Sequence, residues 1–219
     1  MLPIRLGTVN AQGAQDVIVY VLTKNGRVET TNYKAVNLPS DMNIPEYTKD
    51  VFGDFYKALF ARTVDKNGMK AVITEYAWDM SFCDPCAAEP LSTEELKSLG
   101  VWWIGQGDGY HGYGGNNAFV TRLHARYDRD HFPEDLVFQQ TSDRNNFQGR
   151  YVMQHPYTGQ MDCEEAGPYV KSVWERQQQE AKTMAELTGW KLDDIKKRMK
   201  LGDKPPEVKG KKWFEKLWK

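Results

Sequence analysis

The stretch Glu75-Tyr-Ala-Trp-Asp-Met-Ser-Phe82 leads directly into Cys83-Asp-Pro-Cys86 and then into Pro90-Leu-Ser-Thr-Glu-Glu-Leu-Lys97. The residues from Ala71 to Trp78 are mostly β-branched, apolar or aromatic, which favours a strand. Ser92-Thr-Glu-Glu95 is a capping box, in which a serine oxygen and a glutamate satisfy free main-chain amides, so a helix is predicted to begin there. The chain therefore turns from a strand into a helix through a corner that holds two of its three cysteines.

Strand patterns flank this corner on both sides. Val17 to Leu22 is apolar throughout, which predicts a central strand covered on both faces, and Lys24-Asn-Gly26 predicts a hairpin turn into a second strand over Arg27–Tyr33. In Phe119–Tyr127 the alternation predicts one core face and one polar face, the latter carrying Arg122, His124 and Arg126. Further strands are predicted over Ile4–Val9, Leu136–Gln140 and Gly149–Gln154, and the last two are expected to form an antiparallel meander with Phe119–Tyr127.

Helical patterns complete the expected fold. Apolar residues recur at helical spacing over Lys49–Val64 and Pro168–Leu187, and a shorter helix is predicted over Leu192–Met199. We therefore predict an α+β fold, with a mostly antiparallel sheet packed against two main helices. A long glycine-rich loop follows Ile104, residues 1–202 form a single domain, and residues 203–219 form a basic linker and an amphipathic aromatic tail.

The length, the hydrophobicity and the charge of the chain exclude some functional classes of protein. With 219 residues the chain can bury a real core, and it contains no apolar run long enough to cross a bilayer. Basic residues outnumber acidic ones after Lys191, whereas the preceding body is acidic. An acidic body argues against specific nucleic-acid binding.

Ordered motifs along the chain resemble a known family. They are Leu2-Pro-Ile-Arg-Leu-Gly7, Glu29-Thr-Thr-Asn-Tyr33, Tyr76-Ala-Trp-Asp79, Cys83-Asp-Pro-Cys86, Pro90–Gly100, Thr121-Arg-Leu-His124, Phe132-Pro-Glu-Asp-Leu-Val-Phe138, Asn146-Phe-Gln-Gly-Arg-Tyr151 and Leu187-Thr-Gly-Trp190. Over roughly residues 2 to 200 the chain resembles the bacterial family called domain of unknown function 2330. Members usually look exported, with an N-terminal signal and a further preceding segment, so the resemblance implies a periplasmic or extracellular location and a Met1 that matches an internal position. It implies no activity.

The cysteines permit three interpretations. Cys83 and Cys86 have the spacing of a thiol-disulfide motif, but the helix signal begins only at Ser92, too late for its dipole to activate the first thiol. We interpret the pair as part of a structural disulfide, in which Cys163 is a further possible partner. Redox catalysis and a zinc site formed by the three cysteines and a histidine are the alternatives.

Other polar groups offer further candidates. His124 lies between Arg122 and Arg126, and we expect it on an exposed strand face neutralised by nearby carboxylates, with a face that attracts anions as the alternative. Closely spaced oxygens suggest turn caps, with calcium as the alternative, at Asp128, Asp130, Asp143 and Asn145. We predict no cofactor, and calcium and zinc are kept as alternatives.

Two aromatic segments are candidate contact surfaces. In the glycine-rich loop Tyr110 and Tyr113 are expected to contact a protein partner. In the tail, an apolar helical face comprises Trp213, Phe214, Leu217 and Trp218. We expect this face to dock on the protein's own body or on another subunit, with a membrane surface as the alternative.

These features favour a non-catalytic, exported structural or binding domain that works within a larger assembly. The abundance of aromatic residues, the aromatic tail and the lack of a recognisable set of catalytic residues in the sequence support this interpretation. The alternative is a cysteine-dependent thiol-redox or metal-binding protein.

Overall fold

The computed structural model describes residues 1–82, 91–104, 117–159, 161 and 163–206. The strands are β1 (Gln15–Thr23), β2 (Val28–Thr30), β3 (Lys34–Asn37), β4 (Met42–Asn43), β5 (Ala71–Asp79), β6 (Phe119–Tyr127), β7 (Phe138–Gln140), β8 (Phe147–Gln148) and β9 (Tyr151–Val152). The α-helices are α1 (Phe52–Lys66), α2 (Thr93–Ser98), α3 (Ala166–Thr188) and α4 (Leu192–Met199). Short 3₁₀ helices span Ile4–Thr8 and Glu46–Val51.

The chain forms two compact units. The first comprises Met1–Ser40 and Thr63–Gly149, and the second comprises Asp41–Arg62 and Arg150–Lys219. The mixed α/β architecture with a mostly antiparallel sheet confirms the predicted fold class. Across the described residues no helix is both long and apolar enough to span a membrane.

A sheet with the order β1-β6-β5-β3 dominates the first unit, and β8 also pairs with β5. β6 lies between β1 and β5 and is antiparallel to both, whereas β3 runs parallel to β5. Strict alternation in β6 buries one face of this strand, formed by Phe119, Thr121, Leu123, Ala125 and Tyr127. This face contributes Leu123, Ala125 and Tyr127 to a core that also contains residues from outside the main sheet, among them Ile4, Val28, Phe132 and Leu136.

A smaller apolar cluster surrounds α2. Both bonds of the predicted capping box form, because the Glu95 amide donates to the Ser92 hydroxyl and the Ser92 amide donates to the Glu95 carboxylate. Gly100 follows the helix with φ +88°, a conformation that favours glycine. Leu96 is buried there with Val101, Ile104 and Ala118, so the predicted helix is confirmed together with its start and its end.

The second unit pairs β4 with β9 in parallel and contains α3 and α4. The ring of Phe55, on α1, meets Tyr151 edge to face at 5.0 Å between centroids. The Tyr47 hydroxyl donates to the sulfur of Met184, which is fully buried on α3. Gly189 ends α3 in the left-handed conformation, with φ +75°.

Four local predictions are wrong. Among the described residues β1 is an edge strand, and the chain after Gly26 pairs through β2 with β7 instead of folding back as a hairpin. A side chain at Gly26 would collide with the carbonyls of Thr141 and Asp143, so this turn packs against the loop that follows β7. Ile4–Thr8 is a 3₁₀ helix instead of a strand. The expected meander is absent among the described residues, because β7, β8 and β9 each pair with a different strand.

Two predicted segments cannot be compared with the structure. The glycine-rich loop, with Tyr110 and Tyr113, lies outside the described residues, as does the tail from residue 207 onwards with Trp213, Phe214, Leu217 and Trp218. Cys83 and Cys86 also lie outside them.

Two glycines in the second unit allow a matched test of helix energetics. Gly189→Ala is expected to cost about 1 kcal/mol, because alanine is strained at positive φ. Gly53→Ala is expected to stabilise by roughly 0.5–1 kcal/mol, because Gly53 is helical and open space surrounds its missing Cβ. Urea unfolding of both variants checks the two signs, and equal signs would contradict the assignment of Gly189 as the helix terminator.

Candidate functional site

The candidate site is one face of the main sheet, which we call the polar face. It lies on the side of the sheet opposite the buried face of β6. The strand register brings its residues together, because Asp16 lies opposite Arg126, Ile18 opposite His124 and Tyr20 opposite Arg122. Tyr76 of β5 also lies opposite Arg122, on the other side. The polar face therefore crosses three strands, and its members are Asp16, Ile18, Tyr20, Glu75, Tyr76, Trp78, Arg122, His124 and Arg126.

A buried carboxylate holds the centre of the polar face. The Glu75 side chain is only 1% exposed, and its Oε2 lies 2.8 Å from Nε of Arg122. Its Oε1 lies 2.9 Å from Nδ1 of His124. A carboxylate removed from water in this way requires compensating partners, and β6 supplies both of them.

A β-bulge explains how Glu75 reaches this position. The pairing between β5 and β6 shifts by one residue between Thr74 and Tyr76, so Glu75 is the extra residue on its strand. Before the bulge Thr74 pairs with the core residue Leu123, and after it Ala77 pairs with the core residue Thr121. The bulge therefore moves Tyr76 and Trp78 onto the polar face.

A second ion pair joins β6 to β1. Arg126 donates to both carboxylate oxygens of Asp16, from Nε at 2.9 Å and from the terminal nitrogen at 2.8 Å. These bonds lower the pKa of Asp16, although partial burial acts in the opposite direction. Nε2 of His124 lies 4.0 Å from the same carboxylate, so His124 stands between Asp16 and Glu75. The expectation that carboxylates neutralise this face is confirmed, whereas the expected exposure of His124 is wrong, because its side chain is only 12% exposed between the two carboxylates.

Aromatic and apolar groups accompany these charges. The Arg122 guanidinium lies over the Tyr20 ring at 5.4 Å from its centroid. Tyr76 and Trp78 stack with their centroids 6.0 Å apart. Ile18 and Tyr20 remain 45% and 63% exposed. The polar face thus combines a charge-balanced centre with exposed apolar side chains on β1, an arrangement suited to binding a surface.

The four residues predicted to be turn caps, with calcium binding as the alternative, lie in two turns. Asp128 accepts bonds from the amides of Asp130 and His131 and contacts the His131 ring. Asp143 accepts from the amide and side chain of Asn145 and pairs with an arginine, Arg27. Both aspartates act as turn caps, and within the described ranges no three His, Cys, Asp or Glu side chains gather as metal ligands.

The cysteine site is only partly visible. Cys163 is exposed and is a free cysteine in the described part of the chain. The roles predicted for Cys83 and Cys86 remain predictions.

Sequence reasoning missed Glu75 and Asp16. Glu75 is the only charged residue between Ala71 and Trp78, which was a signal for a buried ion pair. Asp16 gave no such signal, because its role depends on which strand lies beside β1.

Comparison with known proteins identifies one relationship. The family model described as "Uncharacterized protein conserved in bacteria (DUF2330)" matches residues 1–139. No curated protein and no solved structure matches the chain.

Glu75→Gln tests the buried ion pairs. We expect a loss of about 3 kcal/mol in the free energy of unfolding, because Arg122 and His124 lose the charge that compensates them. Asp41→Asn is the control, since the ion pair of Asp41 and Arg150 is about two-thirds exposed and should contribute less than about 0.5 kcal/mol. Denaturant unfolding of both variants measures the difference, and equal losses would contradict the structural importance of Glu75.

The Asp16–Arg126 pair predicts a pH dependence. Because Arg126 lowers the pKa of Asp16 in the folded state, the pair stabilises the fold above the unfolded pKa of about 4 and loses this effect as pH falls through the folded pKa. Arg126→Gln should therefore lose less stability than the wild type between roughly pH 5 and pH 3. Arg129→Gln is the control, since Arg129 donates to the Val9 carbonyl, and it should keep the wild-type slope. Parallel unfolding curves for Arg126→Gln and the wild type across this range would contradict the assignment.

Proposed function

We propose that this chain, which belongs to the bacterial family described as uncharacterised and conserved in bacteria (DUF2330), is a non-catalytic exported domain with a structural or binding role in a larger assembly. The observation that carries the proposal is the outer edge of β1. This strand ends the sheet order, and no main-chain hydrogen bond reaches its outer edge from any described residue.

Several features of β1 support a binding role. It is nine residues long, and its register with β6 runs without a bulge. It contains neither lysine nor proline, and its one charged residue, Asp16, is bound by Arg126. Soluble proteins usually protect such edges with short strands, charges, prolines or bulges, since an open edge pairs with other chains. An unprotected edge with exposed Ile18 and Tyr20 favours a surface that functions when covered.

The organisation of the polar face supports a non-catalytic role. Glu75 and Asp16 each bind an arginine and each lie next to His124. These groups tie β5, β6 and β1 together through side chains as well as through the backbone. Their charges serve to hold a fixed surface.

Three predicted elements belong to the same proposal. The tail residues Trp213, Phe214, Leu217 and Trp218, with Tyr110 and Tyr113, supply additional protein contacts. Cys83 and Cys86 fasten the corner after β5 as a disulfide. Because the resemblance to this family implies export, we expect a periplasmic or extracellular location, where such a bond persists.

The test is the size of the native complex in a bacterium that produces the protein. Gentle extracts are fractionated by size, and the chain is followed by antibody. We expect wild-type protein in a species larger than its 25.2 kDa monomer. Tyr20→Lys should shift it towards the monomer, because a lysine on an edge strand opposes strand addition.

Leu99→Lys is the matched control. Leu99 is 62% exposed, close to the 63% of Tyr20, and it follows α2, where a lysine suits the helix end. This variant should keep the wild-type size. A monomeric wild type, or an unchanged size for Tyr20→Lys, would refute an assembly role for the β1 edge. Thiol alkylation of the same preparation should label only Cys163 before reduction, whereas three labelled cysteines would refute the disulfide.

A further inference from the structure

We propose that the occupant of the β1 edge is a second copy of this chain. The two β1 strands pair antiparallel around a two-fold axis at Val19, and the two main sheets join into one continuous sheet. This inference rests on the proposed function, since it names the partner of the edge that carries that function.

The hydrogen bonds of the neighbouring strands fix the direction of each backbone group in β1. The Met80 amide donates to the Ala118 carbonyl, and these residues continue the register in which Trp78 lies opposite Val120. Residues that exchange such bonds lie directly opposite each other, and their backbone groups alternate in direction along a strand. Even-numbered residues of β6 therefore point their amides and carbonyls at β5, and odd-numbered ones point theirs at β1.

The register between β1 and β6 then gives the direction of the backbone groups in β1. Odd residues of β6 lie opposite odd residues of β1, for example Leu123 opposite Val19. The odd residues of β1 thus use their backbone groups on β6. The even residues, Asp16, Ile18, Tyr20 and Leu22, direct their amides and carbonyls away from β6 towards the outer edge.

A two-fold axis at Val19 satisfies these outward groups. Val19 is the central residue of Gln15–Thr23, so this axis uses the full strand. It places Ile18 opposite Tyr20 of the second copy and Asp16 opposite Leu22 of the second copy. All of these are outward-facing residues, so the pairing forms about eight main-chain hydrogen bonds.

The side chains are complementary in this register. On the polar face, Ile18 and Tyr20, both exposed in a single chain, form two symmetric aliphatic–aromatic pairs. On the core face, Val17 meets Val21 of the second copy, and Val19 meets its own symmetry mate. These three valines are only partly buried in one chain. A second strand beside them completes their burial.

The distribution of charge along β1 is also compatible with a second copy of this chain as the partner. Identical strands around a two-fold axis repel when like charges face each other. The segment Val17–Leu22 has no charge, and the Asp16 carboxylates stand at opposite ends of the pairing. Moving the axis to Ile18 would bring Asp16 opposite Tyr20 and shorten the overlap, so the axis at Val19 is favoured.

The experiment measures self-association of the purified full chain. Sedimentation from about 1 to 100 µM should show a reversible monomer–dimer equilibrium, as expected for a small interface. Ile18→Lys and Tyr20→Lys should each raise the dissociation constant at least about 10-fold, because each dimer would carry two ammonium groups facing apolar partners. Leu99→Lys should leave it unchanged, and melting curves establish that all variants are folded.

A charge pair tests the register itself. In the double variant Ile18→Lys/Tyr20→Glu, the axis at Val19 places each ammonium opposite a carboxylate of the second copy, so the dimer should return. In the double variant Ile18→Lys/Tyr20→Lys, like charges face each other and the dimer should be lost. An axis at Ile18 or at Tyr20 would instead bring identical introduced charges together, and the oppositely charged variant would not dimerise.

Hydrogen exchange gives an independent readout. With rising protein concentration, the amides of Ile18 and Tyr20 should become protected, whereas that of Val19, already bonded to β6, should change little. A wild type that stays monomeric while native extracts contain the larger complex would overturn self-pairing and leave the proposed function standing. A dimer unaffected by both single lysine variants would overturn the β1 edge as its interface.

Discussion

The carboxylate of Glu75 is the constraint on which the main sheet depends. It is almost completely removed from water, and its two oxygens bind Arg122 and His124, which are two residues apart on one face of β6. Burying such a charge is costly unless its partners are held in place, so β5 and β6 can slip past each other only by separating these groups. The main-chain ladder alone would tolerate more than one register, since it carries no sequence information.

The same residue decides what each face of β5 carries. Because Glu75 is inserted at the bulge, the strand changes phase, and Ala77 takes the core position that Tyr76 would occupy in a regular strand. At the end of β5, Asp79 is buried, with its carboxylate paired with Arg144 and its amide donating to Asn146. The bulge at Glu75 therefore places the rings of Tyr76 and Trp78 on the polar face. It also places a second buried acid, Asp79, at the end of β5.

Whether a feature could be predicted from the sequence depends on how far apart along the chain its interacting residues lie. The capping box of α2, the alternation of β6 and the ends of α3 and α4 depend on residues a few positions apart, and the sequence predicts them. The partner of β1, the separation of β2 from β1 and the bulge at Glu75 depend on residues about 50 to 110 positions away. Local patterns contain no information about those partners. The Asn-Gly turn illustrates this, because the turn is present while the expected hairpin is not.

The wrong prediction for β1 is informative in itself. A continuous apolar run from Val17 to Leu22 is typical of a strand with neighbours on both sides, yet within the described part of the chain β1 has one neighbour and Ile18 and Tyr20 are exposed. Selection for a soluble monomer would place a charge or a proline on such an edge, and Asp16, already bound by Arg126, is the strand's only charge. The pattern and the position agree once the sheet continues beyond β1 into a second molecule. In the proposed dimer, the apolar run would lie at the centre of a sheet that two chains form together.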